Sequence, residues 1–519
     1  MLLVNLYNPK PKAMQHKQGE NRNQMFMFTL ESAVATDSIV RVVDAFVDTI
    51  DLKSFGFAHV ECPEEGRPPY HPSVLLKLYL YGYHYGINTC RKLEREVKTN
   101  FEVMWLLSGL RPSYKTISDF RKNHSKAFRE VFRRFVCLLR EWNLIEGKTV
   151  AIDSFKIRGN NSLKNNFNEK KLQRHLEYIE RQIREYEELL DKSEQEEERQ
   201  LAESRLKERK KKQAKYEQVK KDLEASGEEQ ISLTDPDSRA VILLRNIVNV
   251  GYNIQASSDA KHKLLVEYDT GSVNDTHALA PMALQTKELL QVEGLRVLAD
   301  KGYHTGEQLA QCEQHEITTY VSPKAPATKD IGLYPVTDFI YDPAEDVYIC
   351  PESHRMHTNG RWHQHSDKRR NGVSAYRFKR YTTPGCKNCK SRHLCTKSKT
   401  NGRYIDRSEY AEVIEANAQR VTANPDYYRQ RQQITEHPFG TLKRQRGYTY
   451  TNLRGKEKVL GEVGILFIGY NLRRCISIFG IQKLIKALRE CCLPYFLAFK
   501  RLILSSNNGF LFSGYKIAI

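Results

Sequence analysis

The N-terminal part of the chain alternates hydrophobic and polar residues with the period of a helix. Between residues 25 and 147 apolar side chains recur every three or four positions, as in PSVLLKLYLYGYHYG (72–86). A short helix at 115–122 and a long amphipathic helix at about 125–142 are predicted to follow. This pattern predicts an all-helical N-terminal domain at 25–147, preceded by a flexible N-terminus at 1–24.

At residue 148 the period changes. KTVAIDSFKI alternates around β-branched and apolar residues, which is typical of a strand. The next segment, 168–227, is highly charged and carries apolar residues at heptad spacing: Leu172, Leu176, Ile179, Ile183, Tyr186 and Leu190. We expect an inserted coiled-coil helical hairpin with a structural role, closed on itself or on a second subunit.

Three separated segments, 148–167, 228–340 and 405–475, share a mixture of strand and helix patterns. Strands, a helix and a further strand in that order predict an α/β fold with a mixed sheet flanked by helices. The segment 341–404 is a Cys-rich insertion into this core. Residues 476–519 are predicted to form a C-terminal helical tail.

The amino-acid composition indicates the class of molecule that the protein binds. Lys and Arg total 82 against 63 Asp and Glu, which gives a formal charge of +19 and a pI of about 9.3. Such an excess favours a polyanion, nucleic acid first, although it is also compatible with a merely solubilising surface. Around the turn at 110–124, Lys115, Arg121 and Lys122 fit a helix-turn-helix DNA reader or, equally, the solvated face of a helical bundle.

No membrane or export signal is recognised in the pattern. The N-terminus lacks a continuous apolar core, and the apolar C-terminal tail is interrupted by Pro494, Lys500 and Arg501. Eleven cysteines without an export signal favour reduced thiols in a cytoplasm. We therefore expect a cytoplasmic protein that does not bind membranes.

Three carboxylates stand out by their position. Asp153 lies inside the apolar strand VAIDSF, Asp300 ends the strand RVLAD, and Glu436 lies on a helix in ITEHPFGTLKR. A carboxylate in an apolar strand is costly unless it is paired, and a metal ion is one such partner. The alternative for either aspartate alone is a cap on a turn at the end of a strand.

The segments around these carboxylates resemble a known family. VAIDSFKI, LADKGYHTGEQL and YYRQRQQITEHPFGTLKR look like the three catalytic segments of DDE transposases of bacterial insertion sequences. Tyr428, Arg431, Glu436 and Lys443 resemble the Tyr-Arg-Glu-Lys signature, with four residues between Arg and Glu where the usual pattern has three. RPPYHPSVLLKLYLYGYHYG and SYKTISDFRKNH resemble the helical N-terminal domain of one such family.

The resemblance implies an RNase-H-like core in which Asp153, Asp300 and Glu436 coordinate two Mg²⁺ ions, with Mn²⁺ able to substitute. It implies binding of terminal inverted repeats, hydrolysis of a phosphodiester at each transposon end, and joining of the freed 3′-OH to target DNA. A homodimer is expected, because two ends must be held together. The protein would associate with the nucleoid when bound to DNA.

Other residues near these motifs receive smaller roles. By the same resemblance, Lys443 and Arg431 would contact DNA phosphates and Tyr428 would position DNA, whereas a solvated basic face or core packing are the alternatives. Gly302 and Tyr303 would shape the turn after Asp300. Four further side chains are interpreted as turn residues or hydrogen-bonding neighbours: Asp259, Asp275, His304 and His437.

Four cysteines form a separate motif. Cys350 in YICPESH and Cys386, Cys389 and Cys395 in CKNCKSRHLC are clustered as a structural tetrahedral Zn²⁺ site requires. His354 and His393 are potential substitutes among the ligands. The alternative is a set of free thiols without a metal.

Three other functions remain open at the level of sequence. An RNase-H-like nuclease would cut DNA without joining it, and a catalytically inactive transposase derivative would only bind it. A coiled-coil scaffold accounts for 168–227 but not for the acidic residues in apolar strands.

Overall fold

The structure is a computed structural model, which describes residues 23, 25, 27–62, 65–66, 68–242, 247–271, 274–324, 332–366, 374–398 and 400–490. Most of the predicted N-terminus at 1–24 and most of the predicted tail, from 491 onward, lie outside the described residues.

The first part of the described chain is helical. Its helices are α1 (Ile39–Asp48), α2 (Pro72–His84), α3 (Cys90–Thr99), α4 (Phe101–Leu106), α5 (Tyr114–Asn123) and α6 (Ser125–Glu141). Side-chain oxygens of Ser38, Asn100 and Ser113 accept hydrogen bonds from free amides at the starts of α1, α4 and α5, which fixes where those helices begin.

The predicted helical hairpin follows the first strand, β1 (Thr149–Arg158). Two short paired strands, β2 (Asn166–Phe167) and β3 (Ile231–Ser232), join the ends of the insert, and α7 (Glu169–Lys192) packs against α8 (Glu196–Ser226). The first four residues of the predicted apolar seam are buried, with Ala202, Val219 and Leu223 of α8 buried as well. The hairpin thus closes on itself within one chain.

The central sheet contains β1, β4 (Arg239–Ile242), β5 (Val248–Asp259), β6 (Leu265–Thr270), β7 (Leu295–Ala299) and β8 (Ile317–Val321). Its order is β4-β5-β1-β7-β8, and β6 also pairs with β5. β1 is antiparallel to β5 but parallel to β7, which is parallel to β8. The predicted mixed α/β sheet is therefore confirmed.

Helices cover both faces of this sheet. They are α9 (Leu279–Leu290), α10 (Gly306–Gln314), α12 (Ala411–Ala423), α13 (Pro425–Gly440) and α14 (Lys456–Phe479), with a π-helical turn at Thr441–Gln445 after α13. A helix at Ile481–Glu490, here α15, follows α14 at an angle of 111°. No single described helix has the length and apolar character to cross a bilayer; taken together, bent α14 and α15 meet those criteria.

The Cys-rich insertion forms a second sheet, which the sequence did not predict. Its five antiparallel strands are β9 (Ile340–Asp342), β10 (Val347–Ile349), β11 (Arg355–Ser366), β12 (Ser374–Thr382) and β13 (Ile405–Ser408), and the short helix α11 (Arg392–Cys395) lies between the last two. A small separate core supports it, made of Phe339, Tyr348, Met356, Tyr381, Cys395 and Ile405.

The N-terminal helices and the central sheet share one hydrophobic core, which extends from α1 to α15. A buried carboxylate joins the two parts. Glu462 of α14 is 0% exposed and accepts hydrogen bonds from the Tyr83 hydroxyl at 3.0 Å and the Asn452 side chain at 2.7 Å. The guanidinium of Arg121, 3% exposed, lies 3.8 Å from it. These bonds fix α2 and α5 against α14.

Replacing Glu462 with Ala is expected to lower the free energy of unfolding by about 3–5 kcal/mol, because Arg121 would remain buried without its carboxylate. The measurement is the urea midpoint of the full chain. Glu457→Ala on the same helix is the control, since this exposed residue pairs with an exposed lysine, Lys126, and should change the midpoint little. Equal effects of the two substitutions on the urea midpoint would contradict the role of Glu462 as the buried partner of Arg121.

Candidate active site

Two of the predicted acids lie on neighbouring parallel strands. Asp153 lies within β1, two residues beyond Ala151, which pairs with Leu298 of β7. Asp300 lies two residues beyond Leu298, immediately after β7 ends. The parallel register therefore brings Asp153 and Asp300 to the same level of the sheet. Both are half-buried.

Asp300 also caps the turn that follows it. Its Oδ1 accepts a hydrogen bond from the Gly302 amide at 2.7 Å, so the alternative role as a cap coexists with a place in the acidic site. A Cβ at Gly302 would lie 2.9 Å from Asp300 Oδ1 and 3.5 Å from Asp275 Oδ2. The absence of a side chain at Gly302 thus lets two carboxylates approach each other.

Asp275, interpreted from the sequence as a turn residue or hydrogen-bonding neighbour, also lies close to the acidic site. It begins a short 3-10 turn, as a turn residue does, but its Oδ1 also accepts hydrogen bonds from the side-chain amides of Asn253 at 2.9 Å and Gln255 at 2.7 Å. These two residues lie on one face of β5, at alternating positions. The spacing of Asn253 and Gln255 in the sequence could have indicated that two amide side chains on one face of a strand bind a polar group there.

A buried tyrosine lies near all three aspartates. The Tyr303 hydroxyl donates a hydrogen bond to Gln255. Burial raises the pKa of Tyr303 well above its ordinary value, and the carboxylates of Asp275, Asp153 and Asp300 raise it further. All three carboxylates therefore lie close enough to this phenol to influence its pKa.

The negative charge of the Asp153 carboxylate is only partly compensated by its neighbours. Burial raises its pKa to about 6 from 3.8, against the opposing effects of the Ser154 amide and the Arg431 guanidinium. The Ser154 amide donates to Oδ1 at 2.8 Å, and Arg431 Nη1 lies 3.4 Å from Oδ2. The nearby negative charge of Asp300 also raises this pKa. A further cation would relieve this cost.

Helix α13 lies against β1 and presents Arg431 and Thr435 to Asp153. These two residues are four positions apart and so share one helix face. Glu436 is one position further, about 100° around the helix axis, and its side chain is exposed. Among the residues that the structure describes, no three His, Cys, Asp or Glu side chains stand close enough together to hold one metal ion.

The other two residues of the signature lie close to the acids. The half-buried Tyr428 donates a hydrogen bond to the carbonyl of Ala299 at 3.3 Å, next to Asp300. Lys443 lies in the π-helical turn, 5.5 Å from the centroid of the Phe155 ring. Burial lowers the pKa of Lys443, whereas the charge of Asp153 raises it. The Lys443 ammonium therefore belongs to the electrostatic environment of the acidic site.

The predicted DNA-contacting residues of the N-terminal domain differ in exposure. Lys115 and Lys122 are exposed, and Lys115 pairs with Asp119 on its own helix. The prediction for Arg121 is wrong: it is 3% exposed and donates hydrogen bonds to Tyr83 and the carbonyl of Asn88. A single residue, His124, separates α5 from α6, and the inner face of α6 belongs to the core.

The remaining neighbours have local roles. Asp259 accepts hydrogen bonds from the amides of Gly147 and Lys261 at 3.0 Å each, as a turn residue does. The His437 Nδ1 lies 2.8 Å from the Tyr470 hydroxyl. His304 is half-buried, and burial lowers its pKa.

The four cysteines lie together beside the second sheet. The Cys350 sulfur accepts a hydrogen bond from the His354 amide at 3.3 Å, and His354 contacts the turn that carries Cys386. Burial, and to a lesser extent the thiols of Cys389, Cys386 and Cys350, raise the pKa of Cys395 to about 11. The four predicted thiols therefore lie within electrostatic range of one another, but not close enough in this arrangement to hold one metal ion. His393 is exposed. A zinc ion at this place stays a prediction.

Two segments of the chain match known families. Residues 28–123 match a family described as a transposase domain (DUF772). Residues 349–476, which include Glu436 and its helix, match a family described as a transposase DDE domain. Both matches are to transposase families, which confirms the resemblance of this chain to DDE transposases.

A comparison with solved structures also found a transposase. The piggyBac transposase synaptic complex with hairpin DNA has 11% sequence identity and a TM-score of 0.30, with 90% of this chain and 80% of that chain covered. No curated protein matches the sequence.

The raised pKa of Asp153 predicts a pH-dependent stability of the transposase. An acid with a folded-state pKa near 6 rather than 3.8 binds its proton more tightly when folded, so stability falls as the pH rises through that window. Asp153→Asn removes this cost. With EDTA present, we expect a higher melting temperature than wild type at pH 8 and little difference at pH 3.5, measured by differential scanning fluorimetry.

The matched control is Asp426→Asn, at an exposed carboxylate in the first turn of α13. It should show no such contrast between the two pH values. A melting temperature for Asp153→Asn below that of wild type at pH 8 would mean that the ion pair with Arg431 outweighs the cost of burial.

Proposed function

We propose that this transposase cleaves DNA at the ends of a mobile element and joins the freed 3′-OH to target DNA. The supporting observation is the pair of carboxylates at adjacent positions of parallel strands, Asp153 and Asp300, with the cations Arg431 and Lys443 beside them. Acids that can bind a divalent cation, next to cations that can bind phosphate, are what phosphodiester chemistry requires.

The donor set suits magnesium. Carboxylate oxygens are the ligands that Mg²⁺ and Mn²⁺ prefer, and the raised pKa of Asp153 reflects negative charge that lacks a sufficient partner. Asp153 and Asp300 would hold the ions, with Glu436 approaching from α13. When bound, such ions activate the attacking oxygen and stabilise the leaving one.

The chain's own residues would orient the DNA. Arg431 now pairs with Asp153; once a cation compensates that carboxylate, its guanidinium is free to bind a phosphate by a bidentate fork. Lys443, held in the π-helical turn, would bind a second phosphate as a point charge. Tyr428, anchored to the end of β7, would keep α13 at a fixed distance from Asp300.

DNA contacts beyond the acidic site are proposed for Lys115 and Lys122, both exposed in the N-terminal region that matches a transposase domain. The formal charge of +19 supports binding to a polyanion. We also propose a homodimer, in which each subunit holds one transposon end, and cytoplasmic residence close to the nucleoid.

A nuclease that cuts without joining is the second candidate, because the same acids would serve both reactions. The discriminating assay supplies a transposon end whose 3′-OH is already exposed, together with target DNA and Mg²⁺. Covalent joining supports a transposase, and cleavage of intact ends without joining of the pre-cleaved end supports a nuclease.

Asp300→Asn is expected to reduce end cleavage by at least about 100-fold, because it removes charge from the metal-binding carboxylates. It keeps an oxygen that can accept the hydrogen bond from Gly302, so the turn and DNA binding should persist. Cleavage is read as nicks at nucleotide resolution, and binding as a gel shift. Asp426→Asn serves as control and should cleave normally. Loss of binding in Asp300→Asn would contradict a purely catalytic role.

We further propose that Cys350, Cys386, Cys389 and Cys395 bind one structural Zn²⁺ that stabilises the second sheet. Purified protein is expected to contain about one zinc per chain by elemental analysis, and Cys389→Ser to contain far less. Removal of zinc with a chelator should lower the melting temperature. Cys137→Ser, at a half-buried thiol on α6, should retain the zinc. Wild-type protein without zinc would contradict the proposal.

A further inference from the structure

A polar groove separates the end of α13 from the second half of α14. Its first wall is His437, Thr441 and Gln445, which recur every fourth residue through the π-helical turn. Its second wall belongs to α14 and consists of Tyr470, Arg473, Arg474 and Ser477. The cavity has a volume of about 180 Å³, somewhat more than the roughly 150 Å³ that holds a benzene ring. A phosphate group fits in this space.

The groove is strongly cationic. No described Asp or Glu forms an ion pair with Arg473, Arg474 or the neighbouring Arg446. The guanidinium of Arg474 donates to the carbonyl of His262 at 3.1 and 3.2 Å, which leaves its charge uncompensated. Arg473 is exposed at the mouth of the groove.

Arg446 directly follows Gln445 of the groove wall and is 5% exposed. Its Nη2 donates to the carbonyl of Gly469 at 2.9 Å, but Nε and Nη1 have no acceptor among the described residues. Burial, and to a lesser extent the charge of Arg473, lower the pKa of Arg446 to about 10. A buried guanidinium near a second one is costly unless negative charge is supplied.

The other two buried arginines that the structure describes, Arg121 and Arg407, are compensated by carboxylates of the chain itself. Arg121 lies beside Glu462, Arg129 and Arg133 share Glu267, and Arg407 pairs with Glu415. Arg446 differs from these two buried arginines, because no described carboxylate pairs with it. The difference is explained if the counterion of Arg446 and of the groove comes from outside the protein.

We propose that this groove binds a phosphate group, and that in the working transposase this phosphate belongs to the DNA backbone. The second statement rests on the proposed function. His437 directly follows Glu436 and lies about 200° around α13 from Thr435, which faces Asp153. The bound strand would therefore contact the side of α13 that faces away from Asp153, and would fix the helix that carries Glu436.

The first test is the thermal stability of the full chain in inorganic phosphate compared with chloride at equal ionic strength. Phosphate should raise the melting temperature of wild type, because a ligand that binds only the folded state stabilises it. Arg473→Gln should remove this response. Arg134→Gln, at a half-exposed arginine already paired with Glu141, is the matched control and should retain it.

A second variant tests the charge directly. Ser477→Glu places a carboxylate at an exposed position of the groove wall. It should raise the melting temperature in chloride and abolish the additional effect of phosphate, because the new side chain supplies the missing negative charge. A lower melting temperature in chloride, with the phosphate response intact, would contradict the proposal.

The source of the phosphate is identified with a fluorescent DNA duplex. Plots of log binding constant against log salt should lose about one unit of slope in Arg473→Gln, as expected for one lost phosphate contact. An unchanged slope with a lost phosphate response would assign the groove to free phosphate or a nucleotide. The absence of both effects would overturn the inference, and normal end cleavage in that case would leave the proposed function intact.

Discussion

The pairing of β1 with two neighbours of opposite direction is the constraint on which the site depends. Its antiparallel partner β5 supplies Asn253 and Gln255, which hold Asp275, and its parallel partner β7 ends directly before Asp300. A shift of one residue in the β1–β7 register would turn Asp153 to the opposite face of the sheet. Chain segments far apart in sequence therefore meet through backbone hydrogen bonds, before any side chain of the site interacts with another.

Local patterns of hydrophobic and polar residues predict much of this fold. The helices around residues 72–86 and 115–142, the strand at 149–158 and the hairpin seam follow from hydrophobic spacing alone, and the structure contains all of them. The mixed sheet followed from the order of strand and helix patterns. The second sheet was missed because its strands are short or largely exposed, so that charged residues replace the apolar alternation that marks a half-buried strand. Its small core depends on tyrosines, which occur in many other settings.

Residues of the site could be predicted where the local sequence around each one determines its position in the fold. Asp153 and Asp300 were recognised because carboxylates are unusual in apolar strands, and the structure places them side by side. Arg121 was misjudged because a basic residue on a short helix gives no local sign of a buried partner, and Glu462 is more than three hundred residues away. The extra residue between Arg431 and Glu436 has a geometric meaning: Arg431 shares a face of α13 with Thr435, while Glu436 is rotated away from it.

The helical hairpin has a consequence for how the sheet is assembled. The strands β1 and β5 pair although the whole insert separates them in sequence, and closing a flexible loop of that length would cost conformational entropy before any strand contact formed. The contacts within α7 and α8 are mainly local, and β2 and β3 bring the two ends of the insert together. Once the hairpin has formed, the chain entering β5 emerges close to where it left β1. The loop that must close for β1 to pair with β5 is thereby effectively shortened. The insert thus favours formation of the central sheet during folding.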